Sequence, residues 1–233
     1  MLNTFQEVNI VRKNGLNWWT DRAWIKFSCA IAVLMTAVIL MNWTNWSVEL
    51  KVTAAIAALI PIHVIEEWVF PGGFHYQYNI FFKSDQPDRF PMSRLTDMLT
   101  NLIVTFFYVF LTVWALISGN VSNGIIIGTI IFCALEFVVH TIFGIIMYLK
   151  FKDKGKTTIY GPGSITAYFG FTVFGIILMF CLSERSVVAS DWIGASGTLG
   201  FILFVGILLP DFLFKKKDNP YNLESNGYFD RFK

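Results

Sequence analysis

Charge is what this chain of 233 residues has least of. Asp, Glu, Lys and Arg make up 15% of it, against 55% hydrophobic residues. A soluble domain of that length carries about 25% charged residues, so the composition argues against a surface solvated all round. Cysteine is scarce too: Cys29, Cys133 and Cys181 are far apart and fall in apolar blocks. That placement speaks for buried thiols and against a disulfide framework or a cysteine metal cluster. A formal net charge of +2 is too small to imply a nucleic-acid partner. Heptads, solenoid repeats and low-complexity tracts are missing, and residues 1–23 lack a signal-peptide pattern, with Glu7, Arg12, Lys13 and Asp21 among them. The first apolar segment is therefore expected to stay as an anchor.

What the chain does have is apolar sequence in blocks of about 20 residues, the length that crosses a hydrocarbon core of ~30 Å. Six segments can be drawn: 24–43, 52–70, 99–118, 124–149, 164–182 and 196–214. The expected fold is all-α, a polytopic transmembrane helical bundle of six spans. Residues 1–23 form a cytoplasmic N-terminal segment, 24–214 the membrane domain and 215–233 a basic cytoplasmic tail. Orientation follows from Lys and Arg. Sixteen of them, including Arg12, Lys13, Arg94, Lys156 and Lys217, fall on one side of a six-span chain, and only Lys51 and Arg185 on the other. Both termini are thus expected in the cytoplasm, and the protein in the cell membrane as a multi-pass chain. Trp18, Trp19, Trp24, Trp43 and Trp46 fit interfacial belts around the first span, and Pro61 is a candidate kink in the second.

The second segment contains Ile62-His63-Val64-Ile65-Glu66-Glu67-Trp68. On a helix His63, Glu66 and Glu67 stand at i, i+3 and i+4 and share a face. Ionisable groups within a span cost roughly 2.5–3.5 kcal/mol each on insertion scales and mark functional sites. Counting from the cytoplasmic ends, His63 lies about 12 Å deep, His140 in span four about 15 Å and Asn101 in span three about 10 Å. Cys133, Glu136 and His140 form a stripe on span four. Clusters at matched depth on separate helices can meet inside a bundle, as metal and proton sites do. Imidazole with carboxylate suits zinc, iron or manganese. The order His-x-x-Glu-Glu is similar to the reversed metalloprotease helix His-x-x-Glu-His with its last histidine replaced. By that analogy His63, Glu67 and His140 are ligands and Glu66 a general base. Glu136 is a ligand or a partner of a histidine. Asp211 is expected to pair with the lysines after it, Glu184 and Arg185 to be solvated, and His75 to be exposed. The stripe Phe106, Phe107, Tyr108 and Phe110 reads as lipid-facing bulk.

These residues resemble a known family. His63-Val64-Ile65-Glu66-Glu67 followed by Phe70-Pro71-Gly72-Gly73-Phe74, then Asn101, His140 and Tyr160-Gly161-Pro162-Gly163-Ser164-Ile165-Thr166, is similar to the pattern of the HXXEE-motif membrane proteins. The resemblance covers about residues 55–170. That family is chiefly bacterial and without an assigned activity, so the resemblance implies a shared site and leaves the reaction open.

The turn Tyr160–Gly163 opens the fifth span with unpaired amide donors. With Lys154 and Lys156 nearby, Gly161 and Gly163 are candidates to bind an anionic part of a substrate; the plainer reading is a helix entrance beside a basic loop. The leading expectation for function is a metal-dependent, hydrolase-like enzyme embedded in the membrane, acting on a lipophilic or lipid-linked small molecule near the cytoplasmic leaflet. Its divalent metal sits on His63, Glu67, Glu136 and His140, with Glu66 as acid–base and Asn101 and Tyr160 orienting substrate or stabilising charge. Membrane lipid is the expected partner. Two other readings stand beside it: a proton-coupled transporter or small channel using the His/Glu groups as a relay, and a non-catalytic assembly protein whose polar groups lock helix packing.

Overall fold

The computed structural model describes residues 15–232, and Arg12, Lys13 and Lys233 lie outside them. Six helices are long and apolar enough to cross a membrane: Trp24–Met41, Val48–Trp68, Arg94–Ser118, Asn123–Lys154, Ser164–Ser183 and Ala189–Phe214, here spans one to six. Their starts are written locally. Ser47, Ser93 and Ser122 each accept a hydrogen bond from the backbone amide three residues on, satisfying a donor that a helix leaves unpaired. Span three starts five residues before the expected Leu99, because Ser93 and Thr96 form a reciprocal capping box.

Span two is the central helix. It packs on spans one, three and five, and 56% of its most apolar window is buried, against 33% or less in the others. It is also the span with the ionisable motif, which is thereby kept from lipid; Pro61 sits inside the continuous helix. Trp24, expected at the interface, is wholly buried edge-on against Trp68. The aromatic stripe of span three divides: Phe106 and Phe110 are exposed, whereas Phe107 stacks on Phe201 and Tyr108 is buried, donating to Thr129.

Span six shapes the cavity described below. Its first half packs tightly on span four, where a Cβ on Gly124 would meet the Gly194 backbone and one on Gly128 the Thr198 side chain. Glycines four apart permit that approach, which gives two helices in lipid much of their contact. Span six therefore begins at Ala189, seven residues before the expected Ser196; its small and polar residues are spent on the neighbour. Beyond Gly200 the helix runs through a π-helical stretch, Phe201–Leu208, leaves span four and packs along span three. A wedge opens between spans four and six.

A short helix, Phe74–Phe81, lies between spans two and three. The chain after span six returns over the same end: Tyr228 donates to the Gly72 carbonyl, Arg94 N to the Tyr221 carbonyl, and Lys217 pairs with Asp85. Phe229 and Phe232 join Tyr76, Met147 and Phe151 in a small second core. Lys156 is buried there, donating to the Tyr160 carbonyl and lying over the Tyr228 ring.

Candidate functional site

The face of span two that carries His63, Glu66 and Glu67 divides between two neighbours. His63 and Glu67 turn to span four. His63 Nε2 is 3.2 Å from Glu67 Oε1 and 3.6 Å from Glu136 Oε2, and His140 Nε2 is 3.5 Å from each of the same oxygens. The two imidazoles stand edge-to-face, 4.9 Å between centroids, with Phe171 against one and Phe74 against the other. One ligand atom each from His63, Glu136 and His140 lies within 4.8 Å of the other two. Ligands at ~2.1 Å from one tetrahedral ion sit about 3.4 Å apart, close to the four imidazole–carboxylate separations; Glu67, near both histidines, falls outside the group of three whose ligand atoms are all mutually close. The donor set fits zinc, iron or manganese.

Glu66 turns the other way, to the start of span five. Its carboxylate accepts from Ile165 N, Thr166 N, Thr166 Oγ1 and Tyr160 Oη. The amides that could have received an external anion are thus occupied by the chain's own carboxylate, as expected of a helix N-terminus. Thr166 Oγ1 also lies 2.6 Å from His63 Nδ1. The hydroxyl has one proton and two oxygen acceptors, Glu66 Oε2 at 2.6 Å and the Gly163 carbonyl at 3.1 Å, which assigns His63 Nδ1 as the donor to it. Nδ1 then carries the proton, and Nε2 presents its lone pair to Glu67 and Glu136. Such outer partners fix the tautomer of metal-binding histidines.

The loop before span five is built for contact. Gly163 has φ +89°, and a Cβ there would run into the His140 ring and reach His63. A Cβ on Gly161 would strike Gln77 Oε1, whose Nε2 donates to the Pro162 carbonyl. Both glycines serve close packing of the loop on the imidazoles and on Phe74–Phe81. Burial, then the adjacent Glu66 carboxylate, push the Tyr160 phenol well above its ordinary pKa, so it stays a donor.

The cluster opens into a cavity of about 390 Å3 between spans three, four and six, floored by Phe74, Tyr78 and Phe82. Asn101 lines it, donating to Asp97 Oδ1 at 3.1 Å. Asp97 also lines it, 2% exposed, and its Oδ2 has no hydrogen-bond partner among the described residues. Asp97 was not among the sequence candidates; the signal for it was its position one turn before Asn101. Thr166 was quoted only as part of a motif, and its role depends on a contact spanning 103 residues of sequence. His75 is buried, not exposed, and lies below Trp68 rather than in the cluster. Asp211 pairs with Lys215 as expected, and it too reaches the cavity wall. Arg185 is no solvated loop residue: it pairs with Glu49 and donates to the Val121 carbonyl.

Searches of the curated proteins and of the solved structures return no match to this chain. One family model does match. It spans residues 54–178, from span two nearly to the end of span five, and so includes every member of the His/Glu cluster and the Glu66–Thr166 support behind it. The chain belongs to the family described as proteins of unknown function with the HXXEE motif.

Proposed function

We propose that this protein is a metal-dependent enzyme of the cell membrane. His63, Glu67, Glu136 and His140 hold a divalent cation, and a lipophilic substrate occupies the adjoining cavity. The observation that carries the reading is the convergence of two imidazole nitrogens and two carboxylate oxygens, from spans two and four, at 3.2–3.6 Å. The cluster lies at the end of the bundle that carries most lysines and arginines, which supports the cytoplasmic leaflet.

A bound divalent cation supplies Lewis acidity to a carbonyl oxygen and to water, which favours hydrolysis. The chain's own groups then divide the work. Thr166 and Glu66 keep His63 in one tautomer. Asp97 Oδ2, buried and unpartnered, takes the proton that a nucleophile gives up, and Asn101 holds Asp97 in place. Glu66, committed to four donors, positions His63 and span five rather than exchanging protons. Tyr160 steadies Glu66. Phe74, Phe143 and Phe171 exclude water.

Metal analysis of the purified protein after equilibration with zinc, iron(II) or manganese(II) tests the reading. One equivalent is expected in wild type and none in His63→Ala or His140→Ala. Wild type that retains none of the three under any condition sinks it. A second reading has its own support, since imidazoles touching two carboxylates also make a proton relay without a metal. Proton-driven flux in proteoliposomes that disappears in Glu136→Gln, from metal-free protein, would replace the enzyme with a carrier.

A further inference from the structure

The cavity beside the cluster has a one-sided chemistry. Glu67, Asp97, Glu136 and Asp211 bring carboxyl groups to its wall, and among the described residues neither lysine nor arginine lines it. Asp211 is answered by Lys215. Glu67 and Glu136 meet only the two imidazoles, and Asp97 Oδ2 has no partner among the described residues, so no lysine or arginine answers the other three. An anionic head group therefore meets repulsion with no cationic side chain to receive it, and anion sites are built from arginine, lysine or free helix amides. The nearest free amides are taken by Glu66.

The polar atoms on offer are acceptors. Asp97 is 2% exposed, shares Oδ1 with Asn101 and leaves Oδ2 unpaired. Asn101 spends its amide nitrogen on Asp97, which leaves its oxygen as an acceptor. A buried acceptor without a donor is destabilising, more so if charged, so a ligand bearing N–H or O–H recovers that cost on binding. The remaining wall is apolar. Val139, Ile142 and Phe82 line the cavity and are 36%, 43% and 52% exposed. The cavity thus reaches the outer surface in the wedge between span four and the second half of span six. Its volume of about 390 Å3 falls in the small-molecule range of ~300–1,000 Å3.

We propose that this cavity binds a long-chain amine or alcohol, its head group donating to Asp97 and its alkyl chain leaving through the wedge into the bilayer. Phosphate- and carboxylate-headed lipids are disfavoured. The inference rests on the proposed function only in treating this ligand as the part released when the ester or amide of a long-chain alcohol or amine is hydrolysed; binding itself needs no metal.

Native mass spectrometry of the full chain, released from a neutral detergent, counts bound molecules of dodecylamine, dodecanol and dodecyl phosphate. It is run on metal-free and zinc-equilibrated protein. One amine or one alcohol is expected per chain, with dodecyl phosphate about tenfold weaker or worse, the equivalent of one charged hydrogen bond. Asp97→Asn should weaken the amine about tenfold by the same measure and narrow the gap to the phosphate. Leu203→Trp, on span six, should fill the cavity and abolish all three. The two variants lie on different spans, so the misfolding of one leaves the other to decide. Phosphate binding as tight as amine, or amine binding unchanged in a folded variant, overturns the proposal. Amine binding to protein that takes up no metal leaves it standing while the enzyme reading falls.

Discussion

At one end of the bundle Arg185 reaches Glu49, the Val121 carbonyl and Asn123, while Asn123 in turn donates to the Ser186 carbonyl and Asp191, whose carboxylate also accepts from Val188 N. At the other end two imidazoles face Glu67 and Glu136 with Asp97 close by, and no arginine or lysine among the described residues lines the space. Both clusters join residues far apart in sequence. The first closes its own accounts: each carboxylate meets a donor, and what results is a tie between spans two, four and six and the loop before span six. The second leaves Asp97 Oδ2 and His140 Nδ1 without partners beside a cavity. A buried polar network short of donors is worse for stability than an apolar one, so its retention needs a reason other than packing. Charge balance therefore separates the structural cluster from the candidate functional one.

The largest effects should fall on one cluster alone. His140→Ala removes a proposed ligand, and zinc affinity, measured by competition with a chromophoric chelator, should drop at least about 100-fold. The same titration on Arg185→Met should be unchanged. If Arg185→Met costs as much metal affinity as His140→Ala, the division between the two ends is false. Thr166→Val comes next. It deletes the hydroxyl between His63 Nδ1 and Glu66, and loss of such a support typically costs about 10–100-fold in metal affinity. Thr166→Ser keeps the hydroxyl and should restore most of it, which a purely steric role for the threonine would not predict.

Arg185→Met has its own consequence at the first end. Glu49 and Arg185 are partly buried, with 13% and 25% of their side chains exposed. Removing the guanidinium leaves a carboxylate and a carbonyl short of donors, at a cost of about 2 kcal/mol, below the ~3–5 of a fully buried pair. For a chain of this size that is roughly a 4–8 °C fall in apparent Tm, readable by a thiol-reactive or light-scattering melt in detergent. No fall would mean that solvent already serves both groups.

The six spans were legible because length and hydropathy register the cost of burying backbone in lipid, which no tertiary contact overrides. The His63–Glu67 motif and the His140 stripe were legible because ionisable residues are rare inside spans. Asp97 was missed for a physical reason: beside Arg94 it reads as a loop, and only the Ser93–Thr96 box carries the helix back over it. The first turns of span six were missed in the same way, since Ser190, Asp191 and Gly194 are too polar for a lipid-facing helix until span four covers them. The distinction between Glu66 and Glu67 was out of reach. Neighbours in sequence, they separate only because span five brings its amide donors to one and span four its histidine to the other.

The smallest effect concerns His75, which sharpens the comparison by showing how a buried histidine behaves outside the cluster. Its ring is buried under Trp68, and Nε2 has no hydrogen-bond partner. Burial pushes its pKa from 6.5 down to about 3, against the opposing pull of Asp88 and Asp230. The folded protein thus refuses a proton that the unfolded chain accepts below pH 6.5. Stability from this group is complete above that pH and drains away as pH falls towards 3, at up to about 1.4 kcal/mol per pH unit. His75→Phe keeps the ring and removes the titration, so the decline in apparent Tm between pH 7 and pH 5 should be shallower than in wild type. Equal slopes would assign the acid sensitivity to the carboxylates instead. Metal binding separates the two kinds of histidine further: protons compete with the cation for His63 and His140, so zinc affinity should fall with acid in His75→Phe as steeply as in wild type.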